Sequence, residues 1–183
     1  MREWSVAGGA EYGLINADLV HSFRITKYAT LGSNGARTSP PSEWTAFSDV
    51  GTKVALQDYL DVESAYLEAI RAACAATRTA SLRVKALEGA ETGHYVEGQY
   101  LELPQALEVA RLVLREACWC MLVAERMEVH FGYDYYMYVV AADEILSVLQ
   151  QSNSCLFFER YPSPYQQPVE AQDAKPGDRA QAD

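Results

Sequence analysis

Met127-Glu128-Val129-His130-Phe131-Gly132-Tyr133-Asp134-Tyr135-Tyr136-Met137-Tyr138-Val139-Val140 is the stretch on which the fold turns. Successive side chains of an extended chain point to opposite faces of a sheet, so a single strand here sorts into two sets. Met127, Val129, Phe131, Tyr133, Tyr135, Met137 and Val139 make an apolar face suited to a core. Glu128, His130, Gly132, Asp134, Tyr136 and Tyr138 make the other, which carries carboxylate, imidazole and phenol groups. A bulge at Gly132 would reverse the phase beyond it and exchange the later members of the two sets.

Working outward, Ala117 to Val123 reads as an antiparallel partner joined to this strand around Ala124-Glu125-Arg126. Upstream, Pro104 suits the first turn of a helix whose face is Leu107, Ala110, Leu114 and Ala117, ending near Glu116. Ser81 to Glu88 alternates as a strand, and Leu56 to Thr77 is the clearest amphipathic helix. His21 to Thr30 is a half-buried strand, followed by a long loop from Leu31 to Thr52 that holds Pro40-Pro41. Downstream, Ala142 to Gln151 is a short helix and Cys155 to Tyr161 a last strand. The order β-α-β-α-β-β-α-β predicts a two-layer α+β fold. Its mostly antiparallel sheet has roughly five strands, with about three helices on one face and the other face left open or partly covered by the loop.

A chain of 183 residues can bury a core without staples. Residues 1–20 read as an N-terminal segment with mobile character, 21–165 as a single domain, and 166–183 as a disordered acidic and polar tail. The net charge of −10 argues against nucleic acid and anionic membranes as partners, because both need clustered Lys and Arg. No apolar run approaches the length that spans a bilayer, and no secretory h-region follows Met1. Cys74, Cys118, Cys120 and Cys155 lie in apolar contexts without a CxxC pair and read as buried thiols, which points to the cytoplasm.

Reaction chemistry finds little support. His130 and Asp134, four apart on one strand, would stand roughly 13 Å from each other, beyond hydrogen-bond reach. Cys118-Trp119-Cys120 lacks the turn and the second ligand pair that zinc wants, so no metal or cofactor is expected. Gly32-Ser33-Asn34-Gly35 follows a strand but has no Gly-Lys-Ser/Thr ending, and no serine sits in a G-x-S-x-G elbow. What remains is a contact surface. Glu43, Asp49, Asp134 and Glu159 would steer a basic partner, while Trp44, Tyr136 and Tyr138, with His130 beside them, would supply desolvated contact. Trp44 beneath a long loop also suits a plug at the edge of the core.

Phe23-Arg24-Ile25-Thr26-Lys27-Tyr28, Glu43-Trp44-Thr45, Ser81-Leu82-Arg83-Val84 and Val129 through Tyr138 together resemble a widespread family of uncharacterised small bacterial proteins. In kind, the chain is also similar to immunity proteins of bacterial toxin systems, which are compact, acidic, cytosolic and noncatalytic. That likeness implies a noncatalytic protein-binding module that occludes a basic toxin domain. The alternative expectation is a small-molecule-binding domain or an enzyme that uses the open sheet face as a pocket.

Overall fold

The computed structural model describes residues 18–89 and 94–166, so the expectations for the first 17 residues and for the tail beyond 166 lie outside the described residues. Three helices pack against one open, antiparallel sheet of seven strands. The strands are β1 (His21–Thr26), β2 (Ser81–Glu88), β3 (Tyr100–Glu102), β4 (Trp119–Val123), β5 (Met127–Phe131), β6 (Met137–Ala141) and β7 (Phe157–Arg160). The helices are α1 (Leu56–Thr77), α2 (Leu103–Leu114) and α3 (Leu146–Ser152). Across the sheet the order is β3-β2-β4-β5-β6-β1-β7. α2 lies over β2 and β4, α1 over β5 and β6, and α3 beside β7.

The α+β class, the antiparallel sheet and its helical layer agree with the expectation; the strand count does not. β3 is only three residues long, too short to show alternation. The larger difference is that Met127 to Val140 is not one strand. It reverses at Tyr133–Tyr136, where the Tyr136 N–H donates to the Tyr133 carbonyl at 3.1 Å. Asp134 (φ 53°) and Tyr135 (φ 61°) both take left-handed backbone, the arrangement of a type I′ hairpin turn. Phe131 pairs with Met137, Val129 with Val139 and Met127 with Ala141. Gly132 and Tyr133 both stand opposite Tyr136, a one-residue bulge that keeps Phe131 opposite Met137 and the two sets in phase instead of exchanging them. The N–H that donates to the Tyr136 carbonyl at 2.8 Å is that of Gly132. A Cβ on it would stand 3.0 Å from the Tyr138 ring, so the glycine admits that ring.

Helix ends follow local chemistry. α1 closes with Arg78 left-handed, the Thr79 N–H reaching the Cys74 carbonyl and the Arg78 N–H the Ala75 carbonyl, a Schellman motif without glycine. α2 opens with a reciprocal capping box between Glu102 and Gln105 and with Pro104 in its first turn. Leu107, Ala110 and Leu114 are buried, as their spacing predicts. The core lies between the helices and the face formed by Phe23, Ile25, Leu82, Leu122, Val129 and Val139. Cys74, Cys118 and Cys120 are buried, and burial raises the Cys74 thiol to about 11. Cys155 is exposed instead, since it falls in the turn between α3 and β7 rather than on a strand. Among the described residues, no helix is long and apolar enough to cross a membrane.

Candidate functional site

The hairpin turn between β5 and β6 organises one rim of the molecule. Its Tyr135 ring turns inward and contacts Trp44, Tyr66 and Tyr59 at centroid distances of 4.9, 5.1 and 5.8 Å. The Tyr66 hydroxyl donates to the Tyr135 carbonyl at 2.6 Å and fixes the turn from below. Tyr28 ties the turn to the long loop, its hydroxyl standing 2.7 Å from the Asp134 carbonyl and 3.3 Å from that of Trp44. Burial raises the Tyr28 phenol well above its ordinary pKa, so it stays a neutral donor. Outside this anchor, Tyr133 is 64% exposed and Asp134 is exposed beside it. Glu43, one residue before Trp44, is exposed on the same rim and holds the Lys27 ammonium at 2.9 Å. That ammonium lies 4.0 Å from the Trp44 ring centroid, and burial holds its pKa below the ordinary value.

The other residues expected at a contact surface are buried or committed to contacts within the fold. Trp44 is buried in the aromatic cluster, where it plugs the core edge. Asp49 accepts the Thr45 N–H at 2.8 Å and pairs with Lys53 at 3.1 Å, closing its own loop. Those contacts, the Thr45 bond first, hold its carboxyl below the usual range. A depressed carboxyl stabilises the fold above its unfolded pKa and loses that contribution as the pH falls through the folded one. Asp49→Asn should therefore lower stability by up to about 1 kcal/mol at neutral pH and by less at pH ~3. Urea midpoints at the two pH values check this, and an equal deficit at both would refute it.

On the sheet face away from the helices, β1 contributes Arg24, β6 Tyr138, β7 Glu159 and β5 the pair Glu128 and His130. Arg24 is 6% exposed. Its Nε donates to Glu159 Oε1 at 2.8 Å, its Nη2 donates to the same carboxylate and, at 2.7 Å, to the Arg37 carbonyl. The guanidinium lies between the rings of Tyr161 (3.9 Å) and Tyr136 (4.8 Å). Burial works against its charge, but the hydrogen bonds and attraction of Glu159 outweigh that and raise its pKa. Tyr136, half-buried, accepts the Ser39 N–H at 2.9 Å. Glu159 is thus committed within the fold, and Tyr138 is buried under Tyr161 and Tyr165.

His130 is fully buried and far from the role of a surface imidazole. It meets not Asp134 but Glu128, with Nε2 2.9 Å from Oε2, and Ser163, whose Oγ is 2.8 Å from Nδ1. An ionised carboxylate only accepts, so Nε2 carries a proton toward Glu128, and Nδ1 shares the second hydrogen bond with the Ser163 hydroxyl. This serine–histidine–carboxylate chain has the connectivity of a nucleophile, base and orienting acid. Ser163, however, is 5% exposed, its N–H is committed to Ser22 Oγ, and the Tyr165 ring stacks edge-on to His130. The chain fastens residues 161–166 over the sheet, and Trp119 supports Tyr165 from the neighbouring strand.

A shallow cleft of about 370 Å³ opens beside Arg24, bounded by the hairpin that pairs Leu31 with Arg37. Sequence reasoning passed over Arg24, Arg37 and Ser163, and it placed Tyr133 on the core face, whereas the turn exposes it. The usable signals were a lone arginine flanked by Phe23 and Ile25 on a strand, and a serine held between two prolines after the last strand. Among the described residues, no group of three or more His, Cys, Asp or Glu side chains is arranged to hold a metal ion. In comparisons with protein-family models, with curated proteins and with solved structures, nothing matches this chain.

Proposed function

We propose that the chain is a noncatalytic protein-binding module of the immunity type, which neutralises a basic toxin domain by seating it on the rim of Glu43, Tyr133 and Asp134. The observation that supports this is the mounting of Tyr133. An exposed phenol stands on a turn whose next residues are locked into the aromatic core, so little conformational entropy is lost on contact. Rigid tyrosines are frequent interface anchors, and the flanking carboxylates would steer a cationic partner. The net charge of −10 acts in the same direction.

The test is complex formation with the small basic domain of a secreted protein encoded beside this chain, together with protection of cells that express that domain. Tyr133→Ala should weaken the complex by about 2 kcal/mol, some thirtyfold, without lowering stability. Asp134→Asn combined with Glu43→Gln should slow association and flatten its salt dependence. A complex indifferent to all three substitutions, or the absence of any complex and any protection, would reject the reading.

The hydrogen-bonded chain of Ser163, His130 and Glu128 favours a second reading, an enzyme that uses the face beneath residues 161–166. Labelling of Ser163 by a fluorophosphonate, lost in His130→Ala, would support it over the first.

A further inference from the structure

Among the described residues, two buried polar clusters are closed on themselves. Glu63 is buried between Arg115, which grips it through two nitrogens at 2.6 and 2.8 Å, and Arg111 at 3.4 Å. His130 has a partner on each ring nitrogen. A third cluster, at the cleft beside β1, is different. It holds two arginines, Arg24 and Arg37, beside one carboxylate, Glu159, which is taken by the Arg24 guanidinium and by the main-chain N–H of Arg37. The Arg37 guanidinium carbon stands 3.8 Å from the Phe157 ring centroid, and one of its nitrogens donates to the Ala29 carbonyl at 2.7 Å. Among the described residues no carboxylate comes within ion-pair distance of it. Ser33 and Asn34, exposed in the loop, also line the cleft.

We propose that this cleft binds a small oxyanion, the carboxylate or phosphate-monoester group of a ligand, with the Arg37 fork as its principal contact. Two guanidiniums against one carboxylate leave the cleft with an excess positive charge in a protein whose net charge is −10. Beyond a Debye length of roughly 8 Å at physiological salt the remaining acidic groups are screened, so the local excess decides. Both cations are held before any ligand arrives, Arg24 between Tyr161 and Tyr136 and Arg37 on Phe157. Little side-chain ordering is left to oppose binding, and a planar fork suits two oxygens of one anion. The inference is independent of the rim, whose charge has the opposite sign.

Titration of the full chain with inorganic phosphate and, separately, acetate tests it, with ionic strength held constant and backbone amide shifts followed by NMR. The expected result is saturable movement of the Gly32–Thr38 amides with one or both anions, weakened about tenfold or more in Arg37→Gln. Arg83→Gln, which removes a cation on β2, should bind as the parent does. Arg37→Lys keeps the charge and a donor for Ala29, and should fall between the two. Saturation by phosphate alone assigns a phosphoryl ligand, and by acetate alone a carboxylate. Shifts that never saturate, or that are the same in both Arg37 variants as in the parent, overturn the proposal.

Discussion

Replacing Tyr135 by alanine should cost about 4 kcal/mol, whereas phenylalanine at the same position should leave stability unchanged or raise it by up to about 1 kcal/mol. The alanine loses a ring that touches Trp44, Tyr59 and Tyr66, and the cavity lies where α1, the long loop and the hairpin meet. The phenylalanine keeps every ring contact and removes a hydroxyl that is buried with no hydrogen-bond partner in good geometry. Because Tyr135 is left-handed at φ 61°, glycine there should be less damaging than alanine, the reverse of the usual order in a folded element. Urea midpoints of the three variants measure all of this. An alanine variant within 1 kcal/mol of the parent, or a glycine variant below it, would contradict the account of the turn.

The second large effect is expected at Arg24. Substitution by methionine keeps much of the aliphatic stem but strands the Glu159 carboxylate on the main-chain N–H of Arg37, and should cost about 3 kcal/mol or more. Most of that loss comes from an uncompensated charge, not from the strength of the pair itself. Adding Glu159→Gln to Arg24→Met should therefore restore part of the stability, with a coupling of about 1.5 kcal/mol or more in a double-mutant cycle. Strict additivity of the two substitutions would show that the pair is solvated and that the stacking on Tyr136 and Tyr161 does the holding.

Much of this architecture can be read from residue order, for reasons specific to particular positions. Reading Met127 to Val140 as a single strand places Met127, Val129, Phe131, Met137 and Val139 on one face, and they do share it, although a turn intervenes. The hairpin returns in phase: Phe131 faces Met137, so odd-numbered positions stay on the core side in both strands. Only Tyr133, in the turn itself, leaves the pattern and becomes exposed. The turn was hidden because Asp134-Tyr135 lacks the glycine that usually marks left-handed pairs, its cost being carried by the aromatic packing of Tyr135. The candidate site was less legible. Glu43 and Asp134 do come together on one rim, but Trp44, Tyr138 and His130 are inside. What buries His130 and Tyr138 is a segment more than twenty residues later in the chain, carrying Ser163 and Tyr165. Local periodicity carries no information about a cover supplied from so far away.

The position of β1 in the sheet bears on the order in which the protein can assemble. The first strand of the described chain is an interior one, lodged between β6 and β7. During synthesis it has no neighbour to pair with until residues beyond Met137 have emerged, and its second edge stays open until Phe157–Arg160 follow. Ser22 then takes its last partners from Tyr161 and Ser163. Pairings across nearly the whole described length carry a large loop-closure cost and form slowly. Completion of the sheet therefore comes after translation has passed the last strand, and until then Phe23 and Ile25, fully buried in the finished fold, lack their cover.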